Sequence, residues 1–319
     1  MFAAVSEGYA TSGVDGGVPT TDFLSAKEWA LTSPGNVDYN RLQDFAVTGL
    51  YDGALISKSV VESFYGRPAD YSYWSGCLQG GRQGHMFAQR YPDIFDGIAA
   101  AAPAINWAQF FTGQTFPQLV LSELGEVPHP CEYETLTKAV IDACDANDGL
   151  IDGLISHPDA CSFDPYQLVG TPVECSEPGP SVISKAAAAA MDAVWHGTRT
   201  ANGSLLWPGT GYETSVTNGV LATQCSGDGT CASPRLSLFT DFITYFVEKN
   251  AEFNIDSLTR DDFVRVFKKG VREYSSILNT DVPDLSEFRA AGGKMLTYHG
   301  LVRTATCSTR SDGHTNSIV

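Results

Sequence analysis

Between Tyr71 and Ala102 the chain sets two short apolar runs on either side of a segment with helical spacing, and this stretch constrains the fold more than any other. Residues 71–74 read as a strand. Residues 80–91 read as a helix stopped by Pro92, and residues 98–102 (Ile-Ala-Ala-Ala-Ala) form a second, fully apolar run before Pro103. Two strands joined through a helix make a βαβ unit, whose strands run parallel and must be covered by other elements. An α/β architecture follows.

The flanking sequence extends this unit. Residues 9–14 read as the end of a strand, closed by the turn signal Asp15-Gly16-Gly17. Residues 41–64 carry apolar positions Leu42, Phe45, Leu50, Ala54, Leu55, Val60, Val61 and Phe64 at the spacing of one long amphipathic helix, with Asn40 as its cap. After Gly292-Gly293, residues 294–298 return to the sheet as a further strand. From 107 to 290 the rhythm gives way to prolines, cysteines, an alanine-rich helix over 185–195 and an aspartate-rich loop, which reads as an inserted cap or lid domain. The expected division is therefore a core of residues 1–106 and 291–301, a cap of 107–290, and a polar, aperiodic tail of 302–319.

Composition narrows the class. A 319-residue chain with 43% hydrophobic residues has enough apolar material for a large core. Its formal net charge of -17 opposes binding to nucleic acid or to anionic membranes, because neither counterion release nor surface attraction is available to so acidic a chain. No run of about 20 apolar residues exists to span a bilayer. Eight cysteines and the sequon Asn202-Gly203-Ser204 fit an oxidising, secretory environment, although the start, Met1 to Glu7, does not read as a signal peptide.

The chemistry-bearing stretch is Tyr73-Trp74-Ser75-Gly76-Cys77-Leu78-Gln79-Gly80-Gly81-Arg82-Gln83. Glycines four apart at a strand-to-helix junction suit either a plain tight turn or a G-x-S-x-G nucleophile elbow, in which the backbone N–H after the nucleophile helps to hold an oxyanion. That N–H here belongs to Gln79, and the central position is Leu78. The wider pattern, Gly76-Cys77-x-x-Gly80-Gly81-Arg82-Gln83-Gly84 followed by Ala88-Gln89-Arg90-Tyr91-Pro92 and Phe95-Asp96-Gly97-Ile98, resembles the segment around the catalytic serine of fungal tannases and feruloyl esterases.

The resemblance runs from about Ser6 to Leu301 and implies an α/β-hydrolase fold: a parallel-type sheet, incomplete here at both ends of the family's pattern, with helices on both faces. It implies a secreted serine esterase acting on phenolic acid esters such as feruloyl or galloyl esters. Leu78 stands where the family has its serine. A leucine offers no proton to a base and no nucleophilic oxygen, and loss of a triad nucleophile costs about 10⁶ in turnover. Cys77 points elsewhere at such a turn. The run Gly292 to Leu301 resembles the strand that leads to the family's acid in a His-Gly-x-x-Asp pattern, and Arg303 occupies the acid's place. His299 and His314 read as structural or solvated residues, so no catalytic position is intact. Arg82, Gln83 and Gln79 either line a pocket at the elbow or pack the helix. The expected function is a family member with impaired hydrolysis; the alternatives are a non-catalytic relative or gene fragment that retains ligand binding, and a calcium-dependent binding module. A sheet short of strands exposes edges and apolar faces, which predicts association.

A second cluster is Cys144-Asp145-Ala146-Asn147-Asp148-Gly149-Leu150-Ile151-Asp152-Gly153-Leu154. Carboxylates about 6 Å apart repel by roughly 3 kcal/mol at an effective dielectric near 20, so a loop gathering three is either a solvated acidic turn or a cation site. Oxygen ligands suit calcium. The resemblance implies a structural calcium held by the carboxylates of Asp145, Asp148 and Asp152 and the carbonyls of Leu150 and Leu154, with Cys144 bonded to Cys161. Cys225 and Cys231 have the spacing to close a small loop, and Cys131 with Cys175 is an open pairing. Cys77 is either a free thiol or a partner for Cys307.

Overall fold

In the computed structural model, which describes residues 2–18, 24–175, 178–217 and 219–300, the strands β1 (Tyr73–Cys77), β2 (Gly97–Ala101) and β3 (Lys294–Tyr298) form a parallel sheet with β2 in the centre. Their register aligns Tyr73, Gly97 and Lys294 at one end and Cys77, Ala101 and Tyr298 at the other. All three strands therefore finish at one rim. Alternation along the strands turns Trp74, Ile98 and Met295 to one face, where Trp74 and Ile98 meet the helix joining β1 to β2. Gly84 of that helix sits so close that an added Cβ would lie 2.9 Å from Ile98 Cγ2 and 3.0 Å from Trp74 Cδ1. Absence of a side chain there sets the helix-to-sheet distance.

Before the sheet come α1 (Tyr39–Ala46) and α2 (Thr48–Tyr65); the β1–β2 crossover is α3 (Gln79–Arg90). The single helix expected over 41–64 is thus two helices. Val47, at φ -149° and ψ -64°, lies outside the helical region and separates the two helices, while its N–H still donates to Gln43 O at 2.8 Å. Asp38, not Asn40, caps α1 by accepting from the N–H of Arg41 at 3.1 Å. Residues 9–14 carry no strand, although Gly17 N–H does close the expected turn onto Asp15 Oδ1 at 2.9 Å. β1 begins two residues later than its sequence pattern suggests and runs through Gly76-Cys77. Helices on both faces of the sheet were also expected, but only α3 packs broadly against the described strands. The opposite face leaves Tyr73, Leu296 and Tyr298 more than half exposed.

The segment between β2 and β3 is largely helical: α4 (Trp107–Gly113), α5 (Phe116–Leu124), α6 (Pro130–Cys144), α7 (Lys185–His196) and α8 (Arg260–Leu278), with a π-helical stretch over Phe242–Val247. α7 is the expected alanine-rich helix. Ser184 caps it by accepting from Ala187 N–H, and its small side chains let it lie buried against α5 and α6. This segment shares one apolar core with the sheet, running from Ala26 through Met295. Hydrogen bonds cross the expected boundary as well, from Thr280 N–H to Ile105 O (2.8 Å) and from Gln89 Nε2 to Thr280 O (2.7 Å). Three disulfides, Cys131–Cys175, Cys144–Cys161 and Cys225–Cys231, tie its loops. Among the described residues no helix is long and apolar enough to cross a membrane.

Candidate functional site

Leu78 stands at the rim, at the junction of β1 and α3, with φ 60° and ψ -110°. A side chain at positive φ and this ψ is strained by about 1–3 kcal/mol and persists only where its surroundings impose it. The imposing contacts are specific. Leu78 N–H donates to Ala101 O at 3.1 Å and Leu78 O accepts from Arg82 N–H at 3.0 Å. Trp74 Nε1 donates to Gly80 O at 2.8 Å. No Cβ fits at Gly76, where it would lie 2.5 Å from the Gly80 carbonyl carbon, or at Gly81, where it would lie 2.4 Å from Ala101 O. Of the two elbow glycines that the sequence offers, Gly76 is required by this close packing, whereas Gly80 has open space where a Cβ would stand. Beside the elbow a second strained residue, Ala102 (φ 41°), donates its N–H to Tyr298 O at 2.7 Å; the sequence carries no signal for it.

The apex is 37% exposed, so its side chain is open to a ligand, but it presents only carbon. Gln79 begins α3, where first-turn N–H groups have no intrahelical acceptor and are suited to developing negative charge. Its side chain turns inward: Oε1 accepts from Arg82 Nε at 2.8 Å, while Nε2 is buried without a partner. Cys77 is an exposed free thiol. His299 follows β3 directly, with Nδ1 2.8 Å from Gly300 O. Arg303, Cys307 and His314 lie outside the described residues.

Arg82 neither lines a pocket nor lies on a helix surface. It is fully buried, donating to Ala46 O (2.9 Å), Leu278 O (3.2 Å) and Gln79 Oε1, with its guanidinium 5.9 Å from the Trp107 ring centroid. Burial, with the nearby charge of Arg90, lowers its pKa to about 9, which leaves it charged at neutral pH. It fastens the elbow helix to α1 and α8. Sequence reading misses this because the acceptors are carbonyls from distant elements. His85, also buried, faces a cavity of about 560 Å³ on the α3 side of the sheet, together with Thr280, Asp281, Asp284, Arg289 and Thr297.

The aspartate loop leaves α6 as a 3-10 turn over Asp145–Asp148 and bends at Gly149 (φ 95°) and Gly153 (φ 82°), conformations that favour glycine. Its carboxylates organise the loop backbone. Asp145 accepts from Asp152 N–H (3.2 Å) and Gly153 N–H (2.9 Å), Asp148 from Leu150 N–H (3.0 Å) and Ser156 N–H (2.9 Å), and Asp152 from Leu154 N–H (3.1 Å). Bonds from Leu150 and Ser156 hold the Asp148 carboxyl below its usual range. Among the described residues no ion pair neutralises any of the three. Their ligand atoms do not all gather within 4.8 Å of one another. The donor chemistry, all oxygen with three carboxylates outside any ion pair and a disulfide at the loop's base, is of the kind that a hard cation such as calcium takes, with Asp145 buried, Asp148 half-buried and Asp152 exposed. Among the described residues the only groups that do gather so closely pair His129 with cysteine sulfurs already joined in disulfides.

A parallel sheet whose first crossover opens with a strained, glycine-flanked apex at the carboxyl rim defines an α/β-hydrolase-type scaffold. Residues 2–310 match the model of the family described as tannase and feruloyl esterase, and the chain belongs to that family. The match continues past Leu301, where the sequence resemblance was expected to stop. A probable feruloyl esterase of Arthroderma benhamiae is 38% identical over 312 residues, covering 94% of this chain and 55% of that protein. A tannase of Aspergillus oryzae is 28% identical, covering 86% and 53%. Among solved structures, the tannin acyl hydrolase from Aspergillus niger superposes with a TM-score of 0.77 at 29% identity, covering 89% of this chain and 53% of that one. The chain spans about half the length of these relatives.

Proposed function

We propose that this chain is a member of the carboxylic ester hydrolases that keeps the scaffold of a phenolic-ester site at the sheet rim but does not carry out acyl transfer on a serine. The carrying observation is Leu78: the strained apex that lifts a nucleophile above the sheet is present, and its side chain is a hydrocarbon. The phenolic ester as ligand is supported by the names of the relatives, feruloyl esterase and tannase. Which acyl group is preferred depends on pocket shape at the rim. In this reading residues 107–290 act as the cap over the rim and the aspartate loop holds a structural calcium through Asp145, Asp148 and Asp152, with the carbonyls of Leu150 and Leu154. Three disulfides and the exposed sequon at Asn202 support secretion.

The test compares the chain with Leu78→Ser in hydrolysis of methyl ferulate and methyl gallate, with binding of the same esters followed by tryptophan fluorescence. Both forms are expected to hydrolyse at the buffer rate, since a serine alone lacks its base, while both quench fluorescence saturably. Turnover by the unaltered chain near the ~10 s⁻¹ typical of enzymes would overturn the reading, and absence of saturable binding would remove its ligand half.

A further inference from the structure

We propose that His129 and the two disulfides around it form a thiol–disulfide exchange site, where a small thiol of the glutathione class enters at Cys225 and Cys131 is released as the free thiol. His129 stands just before α6 as its cap, and its Nδ1 accepts the Cys131 N–H at 3.3 Å. The same Nδ1 lies 2.8 Å from Cys131 Sγ. A ring nitrogen and both sulfurs of Cys131–Cys175 fall within 4.8 Å of one another, and so do a ring nitrogen and both sulfurs of Cys225–Cys231. One imidazole therefore serves two disulfides. Among the described residues the third disulfide, Cys144–Cys161, has no histidine or carboxylate placed in this way.

α6 carries a cysteine at each end. Cys131 lies in the first turn, where unpaired N–H groups and the helix dipole stabilise a thiolate; Cys144 is the last residue, where the carbonyls oppose one. Exposure divides the sulfurs in the same way. Cys225 is exposed, and Cys131, Cys175 and Cys231 are half-buried, whereas Cys144 and Cys161 are only 2% and 8% exposed. A thiolate attacks the sulfur it can reach and expels the one that better bears negative charge.

The order of exchange follows. The incoming thiolate bonds to Cys225 and expels Cys231, whose sulfur lies beside His129. The Cys231 thiolate then bonds to Cys175 and expels Cys131, to which protonated His129 gives its Nδ1 proton before taking another from water. One thiol enters and one is released. Two disulfide bonds become one mixed and one internal disulfide, so nothing is consumed besides the small thiol.

In the test, Cys77 and any other accessible thiol of the folded chain are first blocked with iodoacetamide. The chain then meets glutathione at neutral pH, and samples quenched over time with N-ethylmaleimide are mapped by peptide mass spectrometry. The expected products are glutathione on Cys225, a Cys175–Cys231 bond and N-ethylmaleimide on Cys131, about ten-fold or more ahead of any opening of Cys144–Cys161. His129→Asn, whose amide oxygen still accepts the Cys131 N–H, slows release of Cys131 by about ten-fold or more without changing entry at Cys225. Cys225→Ser together with Cys231→Ser leaves α6 and its cap in place, removes the entry and slows release of Cys131 by a similar margin. Glutathione on Cys131 with Cys175 free would contradict the proposal, as would equal opening of all three disulfides. Arrest of the reaction at Cys225, or release of Cys131 at an unchanged rate in either variant, would also overturn it.

Discussion

Arg82 shows how much of this site is held by one side chain that makes no contact with a reacting atom. Its planar fork reaches carbonyls of two separate helices, a geometry that an ammonium group cannot reproduce. Arg82→Leu leaves Ala46 O and Leu278 O buried and unpaired, and the expected loss is about 2–5 kcal/mol. Arg82→Lys recovers only part of this; urea unfolding of the three forms checks the order. Asp148 makes a prediction of opposite polarity. Its carboxyl is held low by two backbone N–H groups, so what it contributes to the loop is present above the ordinary aspartate range and lost as pH falls through the depressed value. A carbon-13 titration of the Asp148 carboxyl is expected to show a midpoint below the ordinary aspartate range, and Asp148→Asn is expected to leave Ser156 N–H without its acid-sensitive protection. Neither role was legible in the sequence. Arg82 read as pocket or surface because its acceptors lie 36 and 196 residues away. For Asp148 the sequence offers the carboxylate as a metal ligand but does not show that two loop N–H groups also donate to it.

At the scale of elements, the sequence was most readable where glycine and proline punctuate it. Pro92 ends α3, Gly292-Gly293 opens β3, and the alanine-rich run is α7 nearly to the residue. It was least readable where a single residue breaks a longer pattern. The apolar period of 41–64 runs smoothly across Val47, whereas the backbone does not, and 9–14 has strand composition but no neighbouring strand to pair with. The aspartate loop yields the test proper to this scale. If it takes calcium, saturation at a hundred-fold excess over Kd adds about 2.7 kcal/mol, so melting in millimolar calcium chloride is expected several degrees above melting in chelator. Asp145→Asn should abolish the difference. Identical melting curves in both buffers would leave the loop a self-braced acidic turn.

For the whole molecule the relevant fact is continuity. The helical segment between β2 and β3 shares its core with the sheet and accepts hydrogen bonds from Arg82 and Gln89 of the crossover helix at Leu278 O and Thr280 O. Calorimetry is therefore expected to record a single unfolding transition, with van't Hoff and calorimetric enthalpies in agreement; two resolved peaks would mean that the cap melts as an independent body. The apex at Leu78 takes little part in that core. Gly76, Gly81 and Gly84 are fixed by the atoms pressed against them, and Arg82 by the carbonyls it serves, whereas Leu78 between them is more than a third in solvent and held in shape by its neighbours. Packing thus guards Gly76, Gly81 and Gly84 but not the position that decides whether the turn reacts. A lineage built this way can fall silent at that position, and regain an attacking oxygen there, without its architecture registering the change.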